Sequence, residues 1–137
     1  MKYLIDTNIF IIILEKSFHR LSTAQRDIIF DATNELMLSE ASLYEIAIKA
    51  RLAKPDFSHI DITTIDRERK VSGIKLLKSQ IAFYVNITNV PKVIGQNGKP
   101  HGDPFDLLII SQALLKNIPI LSTDRFFPLY SGLKVIS

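Results

Sequence analysis

The chain has 137 residues, which suits one domain able to bury a core without cross-links. It contains no cysteine, which excludes disulfides, thiolate catalysis and cysteine-bound zinc and agrees with a reducing cytoplasm. The formal net charge of +3 is compatible with a polyanionic partner and equally with a well-solvated surface.

Taken in chain order, Lys2-Tyr3-Leu4-Ile5 reads as a short buried strand. Residues Asn8 to Lys16 are apolar all round, as in a helix packed near the core. The run Ile9 to Leu14 is too short to span a bilayer and has neither a basic leader nor a small-residue cleavage site, so the protein is expected to be cytoplasmic with no membrane segment. Ser22 with Gln25 three positions on forms a capping box, and the helix it opens is expected to end near Asn34. A strand follows at Leu36-Met37-Leu38, then a helix capped by Ser39 that stops before Pro55. Between Asp61 and Gln80 the pattern is helical but interrupted by Gly73, and Ala82 to Ile87 fits strand or helix tail equally. Val90 to Gly102 reads as a loop. Asp103 as N-cap and Pro104 as first residue open a helix ending near Asn117. Strands at Ile118 to Leu121 and Leu133 to Ile136 flank a short helix or turn at Asp124 to Tyr130. Strands alternating with helices predict an α/β fold, a single domain over 1–137 with a central parallel sheet flanked by helices.

Five acids stand out against this scaffold. Asp6 and Asp124 each follow an apolar strand, at the sheet edge where open α/β folds bind ligands. Asp103 and Asp106, three apart, lie near the first turn of one helix and can face one cavity, although N-capping and the helix dipole explain both without a ligand. Glu45 sits mid-helix with Lys49 four residues on, an ordinary salt-bridge spacing. Carboxylates gathered at one edge repel and resist desolvation, so such a group persists chiefly where a cation binds, and together the acids point to a divalent-metal site.

The blocks Leu4-Ile5-Asp6-Thr7-Asn8, Ser39 to Lys49, His101-Gly102-Asp103-Pro104-Phe105-Asp106-Leu107 through Ala113, and Ile120 to Asp124 occur in an order that resembles PIN-domain proteins, most of all VapC-type ribonuclease toxins of bacterial toxin–antitoxin pairs. The resemblance implies a Mg²⁺- or Mn²⁺-dependent endoribonuclease. It carries the family's metal-binding acids onto Asp6, Glu45, Asp106 and Asp124, with Asp103 as an adjacent member of the catalytic group. It also implies an RNA substrate, a small antitoxin partner and a homodimer. Leu107 departs from the Arg often found at that point, and the stretch 54–100 matches poorly.

Oxygen ligands suit Mg²⁺ or Mn²⁺, and no side-chain nucleophile is then needed. Thr7, Asn8, Ser122 and Thr123 are candidates to hydrogen-bond acids or phosphate, or else ordinary turn and cap residues. His101 is a candidate for proton transfer or RNA contact, with a solvated loop histidine as the alternative, while Lys49, Lys99 and Arg125 are candidates for phosphate contact. Phe126-Phe127 and Phe10 to Ile13 read as core or as dimer contact. Two rivals remain: an Asp-dependent Mg²⁺ phosphohydrolase, against which Asn8 stands where a second acid belongs, and a non-catalytic PIN-like binding module.

Overall fold

The computed structural model describes residues 1–137. Five strands, β1 (Lys2–Ile5), β2 (Glu35–Ser39), β3 (Lys75–Leu77), β4 (Ile120–Leu121) and β5 (Val135–Ile136), form one sheet in the order β3-β2-β1-β4-β5. Every pairing is parallel, as the alternation of elements predicts. The chain leaves β1 toward β2 and β3 on one side and later returns to β4 and β5 on the other. The crevice between the ends of β1 and β4 is therefore the switch point where such sheets hold ligands.

β1 is central, and Tyr3, Leu4 and Ile5 are buried, because a parallel interior strand is covered on both faces. One core layer gathers Ile5, Ile9, Phe10, Ile12, Leu38 and Ile46. The other gathers Leu4, Ile109, Ile110, Ile120, Phe127 and Tyr130 on the opposite side.

Helix α1 (Thr7–Glu15) ends at Lys16, whose left-handed φ of 57° turns its N–H onto the carbonyls of Ile12 and Ile13. Phe10, Ile11 and Ile12 are buried, at 0%, 7% and 1% exposure, and Ile13 packs against them, so this run is core and offers no dimer surface. Helix α2 (Thr23–Phe30) starts with both halves of the Ser22–Gln25 capping box. It stops short of Asn34 because the Asp31 carboxylate accepts the Thr33 amide and hydroxyl, which turns the chain. Gln25 does more than cap: its buried amide donates to the carbonyls of Ser122 and Ile136, tying α2 to the ends of β4 and β5.

Helix α3 (Glu40–Arg51) follows β2 with Ser39 as its cap. The stretch expected to be helical up to Gln80 divides instead into α4 (Ile65–Val71) and β3. Gly73, at φ 74°, reverses the chain, and the buried Arg69 pins the turn by donating to the Ile74 carbonyl at 2.6 Å. Helix α5 (Ile81–Asn86) settles the ambiguous segment as helix, and 91–103 is a loop with a small hairpin closed between Ile94 and Pro100. Helix α6 (Pro104–Lys116) is capped by Asp103 and ends at Asn117 in the left-handed region. A short turn of helix at Phe127–Leu129 precedes β5. No helix is long and apolar enough to cross a membrane.

Candidate functional site

Parallel strands bring all their carboxyl ends to one edge. Asp6 leaves β1 there, with its N–H bonded to the Leu121 carbonyl of β4 at 3.0 Å. Its carboxylate caps α1 through Ile9 N at 2.8 Å and uses the other oxygen to accept the Ser122 hydroxyl at 2.5 Å. Capping and site membership are thus compatible, since these bonds do not use all the lone pairs of the carboxylate. Ser122 also accepts the Asp124 amide at 3.0 Å, and Asp124 in turn accepts the Phe126 amide.

Glu45 lies on the buried face of α3. Thr7 Oγ1 donates to its Oε1 at 2.5 Å, and Lys49 Nζ lies 2.5 Å from Oε2. The routine i,i+4 salt bridge is therefore real, and it sits inside the same cleft. An edge-to-face contact between Tyr44 and Phe105, with ring centroids 5.5 Å apart, holds α3 against the start of α6.

Asp103 accepts the amide of Asp106 at 3.0 Å, as an N-cap does. Asp106 accepts no hydrogen bond, and His101 Nε2 lies 3.4 Å from its Oδ2. Asp6, Glu45, Asp103, Asp106 and Asp124 all line one cleft of about 280 Å³, together with Thr7, Asn8, Lys49, His101 and Phe126. The donor atoms of His101, Asp106 and Asp124 form the tightest group, all within 4.8 Å of one another. Asp6, Glu45 and Asp103 line the cleft but stand outside that group.

The electrostatics follow from this crowding. Burial pushes the Asp106 carboxyl up to about 8, and the charges of Asp103, Asp124, Glu45 and Asp6 add to the rise. Burial likewise raises Asp6 to about 6, against the hydrogen bonds from Ser122, Ile9 and Thr123. The Tyr130 phenol is pushed up to about 12, first by burial and then by Asp106 and Asp124. Asp106 is the acid with most to gain from a cation, and the carboxylate-rich donor set fits a hard divalent ion.

Ser122 and His101 have larger structural parts than their sequence context suggests. Ser122 bridges two cleft acids, and His101 is held by Tyr130 and stacked on Phe126. The signal for Ser122 is its place one residue past a strand beside Thr123-Asp124; nothing local marks Tyr130. Thr123, Lys99 and Arg125 are exposed, and Arg125 lies over the Phe126 ring. Leu107 packs against the core layer of Ile109 and Ile110.

Several solved structures share this fold. One is VapBC from Salmonella typhimurium bound to DNA, with a TM-score of 0.66 at 16% identity over 99% of this chain and 97% of that one. Another is VapBC2 from Rickettsia felis bound to a DNA fragment from its promoter, with a TM-score of 0.63 at 18% identity over 99% and 98%. A third is VapBC-1 from nontypeable Haemophilus influenzae, with a TM-score of 0.59 at 19% identity over 100% and 98%. No curated protein matches the sequence. A family model described as PIN domain matches residues 3–133, a span that holds every acid of the cleft, and the chain belongs to the PIN-domain family.

Proposed function

We propose that this chain is the toxin of a VapBC-type toxin–antitoxin pair and acts as a Mg²⁺- or Mn²⁺-dependent endoribonuclease in the cytoplasm. The observation that carries the reading is the convergence of Asp6, Glu45, Asp103, Asp106 and Asp124 on one cleft beyond the carboxyl ends of β1, β2 and β4. Asp6, Glu45, Asp106 and Asp124 would hold the ion. When bound, it supplies an activated water at neutral pH and offsets charge on the scissile phosphate.

The chain's own residues do the rest. Ser122 orients Asp6 and Asp124 against each other, and Thr7 with Lys49 orients Glu45. Asp103 sets the first turn of α6 and with it the direction of Asp106. The exposed Lys99 and Arg125, close in sequence to the cleft residues His101 and Asp124, suit an RNA backbone, whose affinity then falls steeply as salt rises. The antitoxin partner is suggested by the VapBC complexes that share the fold. For a homodimer α5 offers one exposed apolar face, where Ile81, Tyr84 and Val85 recur at helical spacing and are 80%, 51% and 62% exposed.

Purified protein incubated with RNA tests the reading. Cleavage is expected with Mg²⁺ or Mn²⁺, to stop in EDTA without unfolding, and to be lost in Asp6→Asn and Asp124→Asn. RNA binding without cutting under all metal conditions would favour a binding module, and cutting that persists in EDTA after repurification would leave the acids as caps.

A further inference from the structure

The His101 ring is fixed on several sides. Its backbone N–H donates to the Val93 carbonyl at 2.8 Å, and its ring stacks on Phe126 with centroids 4.6 Å apart and planes 13° from parallel. Nδ1 lies 2.6 Å from Tyr130 Oη. In the tautomer that a metal at Nε2 selects, Nδ1 carries the ring proton and donates to Tyr130, whose hydroxyl can turn toward the His101 carbonyl 3.4 Å away. Nε2 is left with a free lone pair, and it faces the acids.

The distance from Nε2 to Asp106 Oδ2 is 3.4 Å. That is well beyond the roughly 2.9 Å of an N–H···O bond. Donors each about 2.1 Å from one ion and set at right angles stand about 3.0 Å apart, so a closure of a few tenths of an ångström would let Nε2 and Oδ2 share an ion. A histidine whose second nitrogen is tied by a hydrogen bond is also the usual form of an imidazole ligand.

We infer that His101 binds the divalent ion directly through Nε2, beside Asp106 and Asp124, so that the centre carries one nitrogen donor and favours Mn²⁺ over Mg²⁺. The inference rests on the metal-dependent reading above. Mg²⁺ takes oxygen donors, whereas first-row transition ions accept imidazole, so the nitrogen selects between them. Tyr130 and Phe126 act as positioning residues for that ligand.

Pulsed electron paramagnetic resonance on the full chain loaded with Mn²⁺ reads a coordinated ¹⁴N directly, and incorporation of ¹⁵N-histidine must change the coupling. The coupling is expected to survive in the double variant His19→Gln/His59→Gln, which leaves His101 as the sole histidine, and to vanish in His101→Gln. In calorimetric titrations His101→Gln should weaken Mn²⁺ about tenfold and Mg²⁺ less than about threefold. Bound Mn²⁺ with no histidine coupling in the native chain, or coupling lost in the double variant, overturns the inference and leaves the metal-nuclease reading standing. If the native chain binds no Mn²⁺ at all, both fall. Should His101→Gln fail to fold, the isotope experiment on the native chain and the double variant still decide.

Discussion

Ser122 donates its hydroxyl proton to Asp6 at 2.5 Å across 116 positions of sequence, and both side chains are buried. That contact closes the switch-point crevice, because β1 and β4 are neighbours in the sheet and their following residues face each other. Ser122→Ala leaves one Asp6 oxygen and the Asp124 amide without this partner. It is expected to weaken Mg²⁺ or Mn²⁺ binding about tenfold and to cost about 1–3 kcal/mol. Calorimetric titration and urea unfolding check the two effects, and unchanged metal affinity would show that the hydroxyl only fills space.

The pH dependence of the metal-free protein has a definite sign. Asp6 at about 6 and Asp106 at about 8 stand above their ordinary value of 3.8, so the folded chain holds protons that the unfolded chain has lost. Their contribution is fully present below the ordinary value and disappears as pH rises through about 6 and about 8. Asp31, Asp61, Asp66 and Glu35 are held below their ordinary values by Thr33, Thr63, Arg69 and Lys75, and their contribution is lost as pH falls. Thermal melts in EDTA should therefore peak at weakly acid pH and decline toward alkaline pH. Asp106→Asn should flatten the upper part of that decline, and a melting temperature that climbs steadily from weakly acid to alkaline pH would contradict the assignment.

Lys49 neutralises the buried Glu45. Removing the cation in Lys49→Met strands that carboxylate, and because the lysine is itself 31% exposed the cost should be about 1–2 kcal/mol, below that of a fully buried pair. A bound divalent ion takes over part of the neutralisation. The destabilisation measured by thermal melts is expected to shrink when EDTA is replaced by Mg²⁺, and an equal loss in both would place Glu45 away from the ion.

Asp103 and Asp106 share one helical turn but differ in what their carboxylates touch. Asparagine caps a helix as well as aspartate does, so Asp103→Asn should keep α6 intact and retain partial cleavage, while Asp103→Ala costs about 1 kcal/mol. Asp106 caps nothing, and Asp106→Asn should abolish cleavage while the metal-free fold becomes more stable. Cleavage assays beside melts separate the two, and a total loss of activity in Asp103→Asn would promote Asp103 to a ligand.

Much of this was legible in the linear chain because it is written in local chemistry. The β1 strand, the Ser22–Gln25 box, the Ser39 cap and the Asp103-Pro104 start each depend on residues within three or four positions, which see the same neighbours folded or unfolded. Asp6, Asp103, Asp106 and Asp124 were visible for the same reason, as acids at strand ends and a helix start, whereas Glu45, mid-helix beside Lys49, carried no such local mark. Strand β3 was not, since three residues after a helix-reversing glycine carry too little pattern, and pairing with β2 is what makes them a strand. The all-apolar run Phe10 to Ile13 had no preferred face in sequence, and only its position against β1 and α3 made it core. The partners that orient the site lie far from their acids in the chain: Ser122 on Asp6, Thr7 on Glu45, and Tyr130 on the ring of His101. Hydrogen bonds between such distant residues come from the order of strands in the sheet, and that order is decided by how whole layers bury their apolar faces, which no short window of sequence contains.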